Sequence, residues 1–332
     1  MKKMKWFLIL FLFYHLTVDV SCKKNPFSSD NSQSTLSKVD NFPLYIMNYQ
    51  GDYNFHDKVS GEIQSSSVPE KTEHTAGLTW GCTCFTSLSH EGPILLGRNF
   101  DWYNHPALLL FTNPPNRYAS VSMVDIYYLG FSKSNPPTRN SRALSDAPFI
   151  PFDGMNEKGL AVGMMAVSHA EKTEDPNRVT LSSLEVIRLF LDYAETVEEC
   201  TALIRQFNID FSDGPPIHYM VCDSTRRSAV IEFINGAMHV NWNTHPWQVS
   251  TNFNLTGYTL IKAKNMCWRY KTIYDSLEKT NGIISELDGM ALLENVAQSN
   301  TIWSLMYNCS TKEINVVMGK KYSQILEYGF NN

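Results

Sequence analysis

Seven cysteines occur in the chain, and Cys82 is the one with chemistry around it. It follows Gly81, and Arg98 and Asp101 of the run GRNFDW lie sixteen and nineteen residues further on. CTCFTSL and PILLGRNF both read as strands. Paired as a hairpin, they bring Arg98 and Asp101 beside Cys82. An Arg-x-x-Asp at a strand end also has a bland reading, a surface ion pair. The chemical reading needs the chain to be cut before Cys82, so that its own α-amine lies within reach of its thiol. An α-amino group titrates at about 7.7–8.0 and a free thiol at about 8.5. The amine can therefore take the thiol proton near neutrality, and no histidine is required. In that reading Asp101 holds the amine, and Arg98 stabilises a thiolate or binds substrate. Period-2 alternation sends Cys84 to the same face, where it would line the pocket, but its position inside the strand makes Cys82 the favoured nucleophile.

Other signatures are missing. The sequence has no G-x-S-x-G elbow, H-E-x-x-H, Walker loop or G-x-G-x-x-G. Cys82-Thr83-Cys84 lacks a second ligand pair at zinc spacing, so neither a metal nor another cofactor is expected. Trp102, Tyr103, Met155, Met164 and Met165 are candidates for an apolar acyl pocket, with the methionines equally suited to a core. His218 reads as a hydrogen-bonded core histidine, and Trp242 and Trp303 as packing.

The elements that must position these residues change character along the chain. Lys2, Lys3 and Lys5 precede an apolar run, Trp6–Leu16, too short to span a bilayer but suited to a signal peptide over residues 1–22. Ordinary cleavage near Ser21 or Cys22 is favoured over lipid anchoring at Cys22, and a secreted or periplasmic protein is expected. Residues 23–81 are polar and Ser-rich and read as a tether or pro-segment outside the core. Residues 82–332 read as a single domain. Strand-like runs (CTCFTSL, PILLGRNF, ALLLFT, YASVSMVDIYYLGF, GLAVGMMAV) give way to two helices opened by Ser182–Glu185 and Thr196–Glu199. Strands return as HYMVC, SAVIEFI and AMHVNW around the hairpin signal Asn235-Gly236. A helix through Tyr270, Ile273, Tyr274 and Leu277 follows, then the hairpin TIWSLMYN–EINVVMG. This order predicts layered α and β structure with mainly antiparallel sheets. With 28 Lys+Arg against 33 Asp+Glu and no basic run, nucleic acid is excluded as a partner. No transmembrane segment is expected after the leader.

GCT followed by GRNFDW at this spacing resembles the choloylglycine hydrolase family of N-terminal-nucleophile hydrolases, which includes bile-salt hydrolases and penicillin V acylases. The resemblance continues through DGMNEKGLAVG (Asp153–Gly163), HYMVCD (His218–Asp223), VSTNFN (Val249–Asn254) and TIWSLMYN. It implies an α+β fold, a four-layer αββα sandwich, and an amidase acting on linear non-peptide C–N bonds of a small molecule with an apolar acyl group. It implies Cys82 as nucleophile after processing at Gly81, with Arg98 and Asp101 beside it. Asn252 would be an oxyanion donor and Arg269 the late arginine that completes the cluster. Where bile-salt hydrolases place an asparagine, this chain has Ala166, so the oxyanion hole would rely on Asn252 and backbone N–H groups, and Ala166 joins Trp102, Tyr103 and Met164 as a substrate contact. Two rivals remain: a Cys–His peptidase or acyltransferase using His218 or His245, and a non-catalytic exported binding protein for apolar acids. Processing separates the first, and selective alkylation of a low-pKa thiol the second. Whether the chain forms a homo-oligomer is left open.

Overall fold

The computed structural model describes residues 34–62 and 81–330, and two facing β-sheets form its centre. The larger has nine strands in the spatial order β1 (Thr35–Asp40), β2 (Leu44–Tyr49), β5 (Ala107–Thr112), β6 (Ser120–Asp125), β7 (Asp153–Asn156), β8 (Ala161–Ala166), β11 (Ile217–Cys222), β12 (Ser228–Ile234) and β13 (Ala237–Trp242). The smaller has six: β14 (Trp247–Ser250), β3 (Gly81–Ser87), β4 (Leu95–Asp101), β15 (Thr301–Asn308), β16 (Glu313–Met318) and β17 (Leu326–Gly329). Neighbours within both are antiparallel except β2 and β5. A small parallel pair, β9 (Thr180–Ser182) and β10 (Asn208–Asp210), stands apart.

Helices α2 (Ser183–Tyr193) and α3 (Val197–Ile204) cover the larger sheet. Helices α5 (Trp268–Thr280) and α6 (Glu286–Asn295) cover the smaller, with α4 (Leu260–Met266) leading into α5. The result is the αββα sandwich. Because both faces of each sheet are covered, β3, β4 and β8 are buried along their whole length, polar residues such as Thr83, Arg98 and Asn99 included. The capping boxes expected at Ser182–Glu185 and Thr196–Glu199 open α2 and α3. Asn235 and Gly236 take φ of 54° and 68°, the left-handed pair that a two-residue hairpin between β12 and β13 needs.

The expected polar tether is corrected over 34–62. There β1 and β2 form one edge of the nine-stranded sheet, and α1 (Phe55–Val59) packs nearby. Leu44, Met47, Tyr49 and Phe55 are buried in the main core, and Tyr53 Oη donates to Asp192 Oδ1 at 2.6 Å. The short PLYIMNY run between polar stretches carries this docking, and its apolar positions are too few to stand out by composition. The leader at 1–22, Cys22 and residues 63–80 lie outside the described residues.

Candidate active site

The hairpin expected between β3 and β4 sets the geometry. Gly81 pairs with Asp101, Cys82 with Phe100, Thr83 with Asn99 and Cys84 with Arg98. Directly opposed residues share a face, so this register divides the cluster in two. Cys82, Cys84, Arg98 and Phe100 face the larger sheet. Gly81, Thr83, Asn99 and Asp101 face the α5–α6 layer, where Asn99 Nδ2 donates to the Leu293 carbonyl at 2.8 Å.

On the inner face, Arg98 is fully buried and forms an ion pair with Asp153 of β7, Nε to Oδ2 at 3.0 Å. Its Nη1 donates to the Met164 carbonyl of β8. Asp153 in turn accepts from Tyr307 Oη at 2.6 Å and Trp303 Nε1 at 3.1 Å, so Trp303 is more than packing. The sheets approach closely here because β8 carries Gly163. A Cβ at that position would sit 2.9 Å from Cys84 Sγ and 3.2 Å from Arg98 Nη1. Arg98 lies between the sheets beside the two thiols and is not part of the cleft wall.

On the outer face, Asp101 Oδ2 accepts from Gln298 Nε2 at 2.6 Å, and Oδ1 accepts from the Thr301 hydroxyl. Arg269 of α5 reaches across to Cys82. Its Nη1 donates to the Cys82 carbonyl and, at 2.8 Å, to Thr83 Oγ1, and lies 3.9 Å from Asp101 Oδ2. Its Nη2 donates to Asn252 Oδ1 at 2.9 Å.

Asn252, just past β14, joins the two halves. The Cys82 backbone N–H donates to Asn252 Oδ1 at 2.7 Å, and Asn252 Nδ2 donates to the Ala166 carbonyl at 2.7 Å. With two donors aimed at Oδ1, the amide has one satisfactory orientation. Asn252 therefore holds the nitrogen of Cys82 first. One of its two Nδ2 hydrogens is used on Ala166, which leaves the other for an oxyanion.

Burial pushes the Cys82 thiol up from its ordinary value. Arg98, the Asp101 backbone N–H and Arg269 pull it down, and the Asp101 carboxylate pushes it up further. The low-pKa cysteine expected from the sequence is thus not what the intact chain presents: desolvation outweighs two arginines. Such a thiol needs a proton acceptor in order to attack. Cys84 is pushed up to about 12 by burial and is absent from the cleft wall. It shares the face of Cys82 but lies deeper between the sheets, which corrects its expected pocket role.

Cys82 lines a cleft with about 640 Å³ of atom-free space, open mouth included. Its walls include Phe100, Trp102, Tyr128, Phe152, Met164 and Ala166, with Ser182, Ser183 and Asp213 supplying polar edges. Of the four expected substrate contacts, Trp102, Met164 and Ala166 line it. Tyr103 does not: it packs edge-on against Trp102, ring centroids 5.5 Å apart, and stacks on His105, backing the wall. Met155 and Met165 are core.

Neither histidine of the rival dyad is hydrogen-bonded to Cys82. His218 has Nδ1 on Glu232 and Nε2 on the Thr251 carbonyl. His245 stacks on Trp247, which pairs with Ser87, at the far end of β3 from Cys82. No group of three or more metal-ligating side chains occurs among the described residues, and none of their helices is long and apolar enough to cross a membrane. Sequence reasoning missed Gln298 and Thr301, which hold Asp101, and the aromatic wall of Tyr128 and Phe152. Asp153 stood in the DGMNEKGL motif without a role.

Residues 82–273 match the model of the family described as linear amide C–N hydrolases, choloylglycine hydrolase family. The match spans more than half of the chain, and the protein belongs to this family of hydrolases. Among solved structures, the fold is similar to a cysteine-to-alanine mutant of conjugated bile acid hydrolase from Clostridium perfringens, with TM-score 0.56 and 17% identity over 75% of this chain and 92% of that one. It is also similar to penicillin V acylase from Agrobacterium tumefaciens, with TM-score 0.54 and 15% identity over 76% and 87% of the two chains. An uncharacterized protein of Paramecium bursaria Chlorella virus 1 is 30% identical over 122 residues, 34% of this chain and 43% of that protein. The chain thus spans less than half the length of that curated relative.

Proposed function

We propose that the protein is an exported amidase whose nucleophile, Cys82, becomes N-terminal by cleavage of the Gly81–Cys82 bond, and whose substrate is a linear amide with an apolar acyl group. The observation that carries this reading is the grip on the Cys82 nitrogen. Asn252 Oδ1 accepts from it at 2.7 Å, within a cluster that also holds Arg269 and Asp101. A nitrogen so held is placed to work on its own side chain's sulfur.

In the mature site the free α-amine takes the proton of Sγ as sulfur attacks the amide carbonyl. The second Nδ2 hydrogen of Asn252 stabilises the oxyanion, a contribution of about 2.7–4 kcal/mol for such donors. The ammonium then gives its proton to the leaving nitrogen and the C–N bond breaks, leaving a thioester on Cys82. Water, deprotonated by the amine, attacks the thioester, the C–S bond breaks to release the acid, and the ammonium returns its proton to Sγ. Arg98 and Arg269 favour the sulfur anion along this path.

The aromatic and thioether walls favour an apolar acyl group, and the named activities of the two structural relatives, on conjugated bile acid and penicillin V, suggest the first amides to try. Because β1 and β2 belong to the larger sheet, the upstream segment stays docked after the cut, and the mature protein consists of two associated chains. The test is turnover of a panel of bile-acid conjugates, penicillin V, N-acyl amino acids and N-acylethanolamines, beside Cys82→Ala. Hydrolysis of at least one amide, lost in Cys82→Ala, is expected. Equal turnover by that variant would refute the assignment.

A further inference from the structure

His218 and Glu232 lie behind the site, and the mechanism above uses neither. Both are almost fully buried, on neighbouring strands β11 and β12. His218 Nε2 lies 2.8 Å from the Thr251 carbonyl, an acceptor, so Nε2 carries a proton. Ser250 Oγ is 3.3 Å from the same nitrogen. His218 Nδ1 lies 3.2 Å from Glu232 Oε1. Glu232 also accepts from the Leu255 N–H at 2.6 Å, the Thr256 N–H at 2.9 Å and Asn241 Nδ2 at 3.0 Å. With both oxygens accepting from these donors, Glu232 is a carboxylate that can only accept, and its carboxyl is held down at about 2 despite burial. Nδ1 must then carry a proton too.

We infer that His218 is an imidazolium which, with Glu232, positions the loop carrying Asn252, so that the amidase proposed above loses this positioning when the ring gives up a proton. The grip is on both sides of Asn252: the ring holds residue 251 and the carboxylate holds residues 255 and 256. Both are positioning residues, acting through Asn252 rather than on substrate. Few other ionisable groups face the ring. Strands β8 and β14 carry none, β11 itself carries the thiol of Cys222, β3 carries those of Cys82 and Cys84, and β12 carries Glu232, with His239 of β13 opposite it. A neutral ring would leave one nitrogen lone pair against an oxygen lone pair in a dry interior, an arrangement that costs stability and displaces the loop. A displacement of about 1 Å at a reacting group costs about 10²-fold in rate.

The inference rests on the amidase reading for its catalytic consequence but not for its geometry, and two measurements keep these apart. The first is the ¹H–¹⁵N spectrum of the His218 ring in the full wild-type chain at neutral pH. Two ring N–H signals are expected, and one would overturn the inference. The second is kcat and KM against pH for wild type and His218→Gln. Wild type should lose kcat on the alkaline side. His218→Gln should start about 10²-fold lower in kcat, with KM little changed, and show no such alkaline loss. An unchanged kcat, or the same alkaline limb in the variant, would overturn the inference. If the wild-type chain cleaves no amide, the amidase reading fails alone. The ring spectrum, and faster exchange of the Leu255 and Thr256 amides in Glu232→Gln, then decide the clamp.

Discussion

Replacing Asn252 by Asp separates the two tasks given to that side chain. The shape is kept, and one carboxylate oxygen can still accept from the Cys82 nitrogen and from Arg269 Nη2, which now lie 2.7 and 2.9 Å from Oδ1. The other oxygen replaces a donor. It meets the Ala166 carbonyl, 2.7 Å from the present nitrogen, and it offers no hydrogen to the oxyanion. Loss of one oxyanion donor typically costs about 2.7–4 kcal/mol, or 10²–10³ in kcat, and a negative charge facing the developing oxyanion adds to that. The assay is kcat and KM on the best amide of the panel, normalised by active-site titration with an acylating probe. Asn252→Asp should still be acylated stoichiometrically at Cys82 by the probe while kcat falls by about 10²–10³. A kcat within a few-fold of wild type would refute the oxyanion role, and loss of probe labelling would refute the separation of tasks.

Other consequences follow from the same geometry. Asp153→Asn leaves Arg98 charged and uncompensated in a fully buried site. Breaking such a pair costs about 3–5 kcal/mol, to be read as a lower urea midpoint with little change in slope. The Glu232 carboxyl, lowered from 4.5 to about 2, gives stability that is complete above pH 4.5 and lost as pH falls toward 2. The shift corresponds to about 3 kcal/mol, so urea titrations of wild type and Glu232→Gln should converge as the medium is acidified, and a constant gap would contradict the linkage. A Cβ on Gly81 would come within 1.5 Å of Gln298 Nε2 and 2.9 Å of Asp101 Oδ2. Gly81→Ala should therefore slow cleavage on a gel time course, and Gln298→Ala should restore part of it in the double variant.

Much of this was legible from the residues because the site is built on one hairpin. A hairpin's register follows from strand length, so Arg98 and Asp101 near Cys82 followed from spacing alone. Their division between faces follows from their three-residue separation, an odd number of steps along β4. What resisted reading came from distant chain. Gln298 and Thr301 hold Asp101 from nearly two hundred residues away, and nothing local marks a glutamine for that task. The docking of β2 beside β5 is a parallel pairing, which no turn signal announces. The acidity of the Cys82 thiol depends on how dry the space between two sheets is, and that property belongs to their packing rather than to any motif. His218 reads as a core histidine, and its bond to the Thr251 carbonyl, thirty-three residues away, is not marked by the strand pattern.

The central claim concerns the nitrogen of residue 82, and mass spectrometry of the acylated enzyme addresses it directly. Protein quenched in acid during turnover should release, on denaturation, a chain whose first residue is Cys82 and which carries the acyl group as a thioester. An acylated chain still joined through Gly81 to the upstream strands would contradict the account.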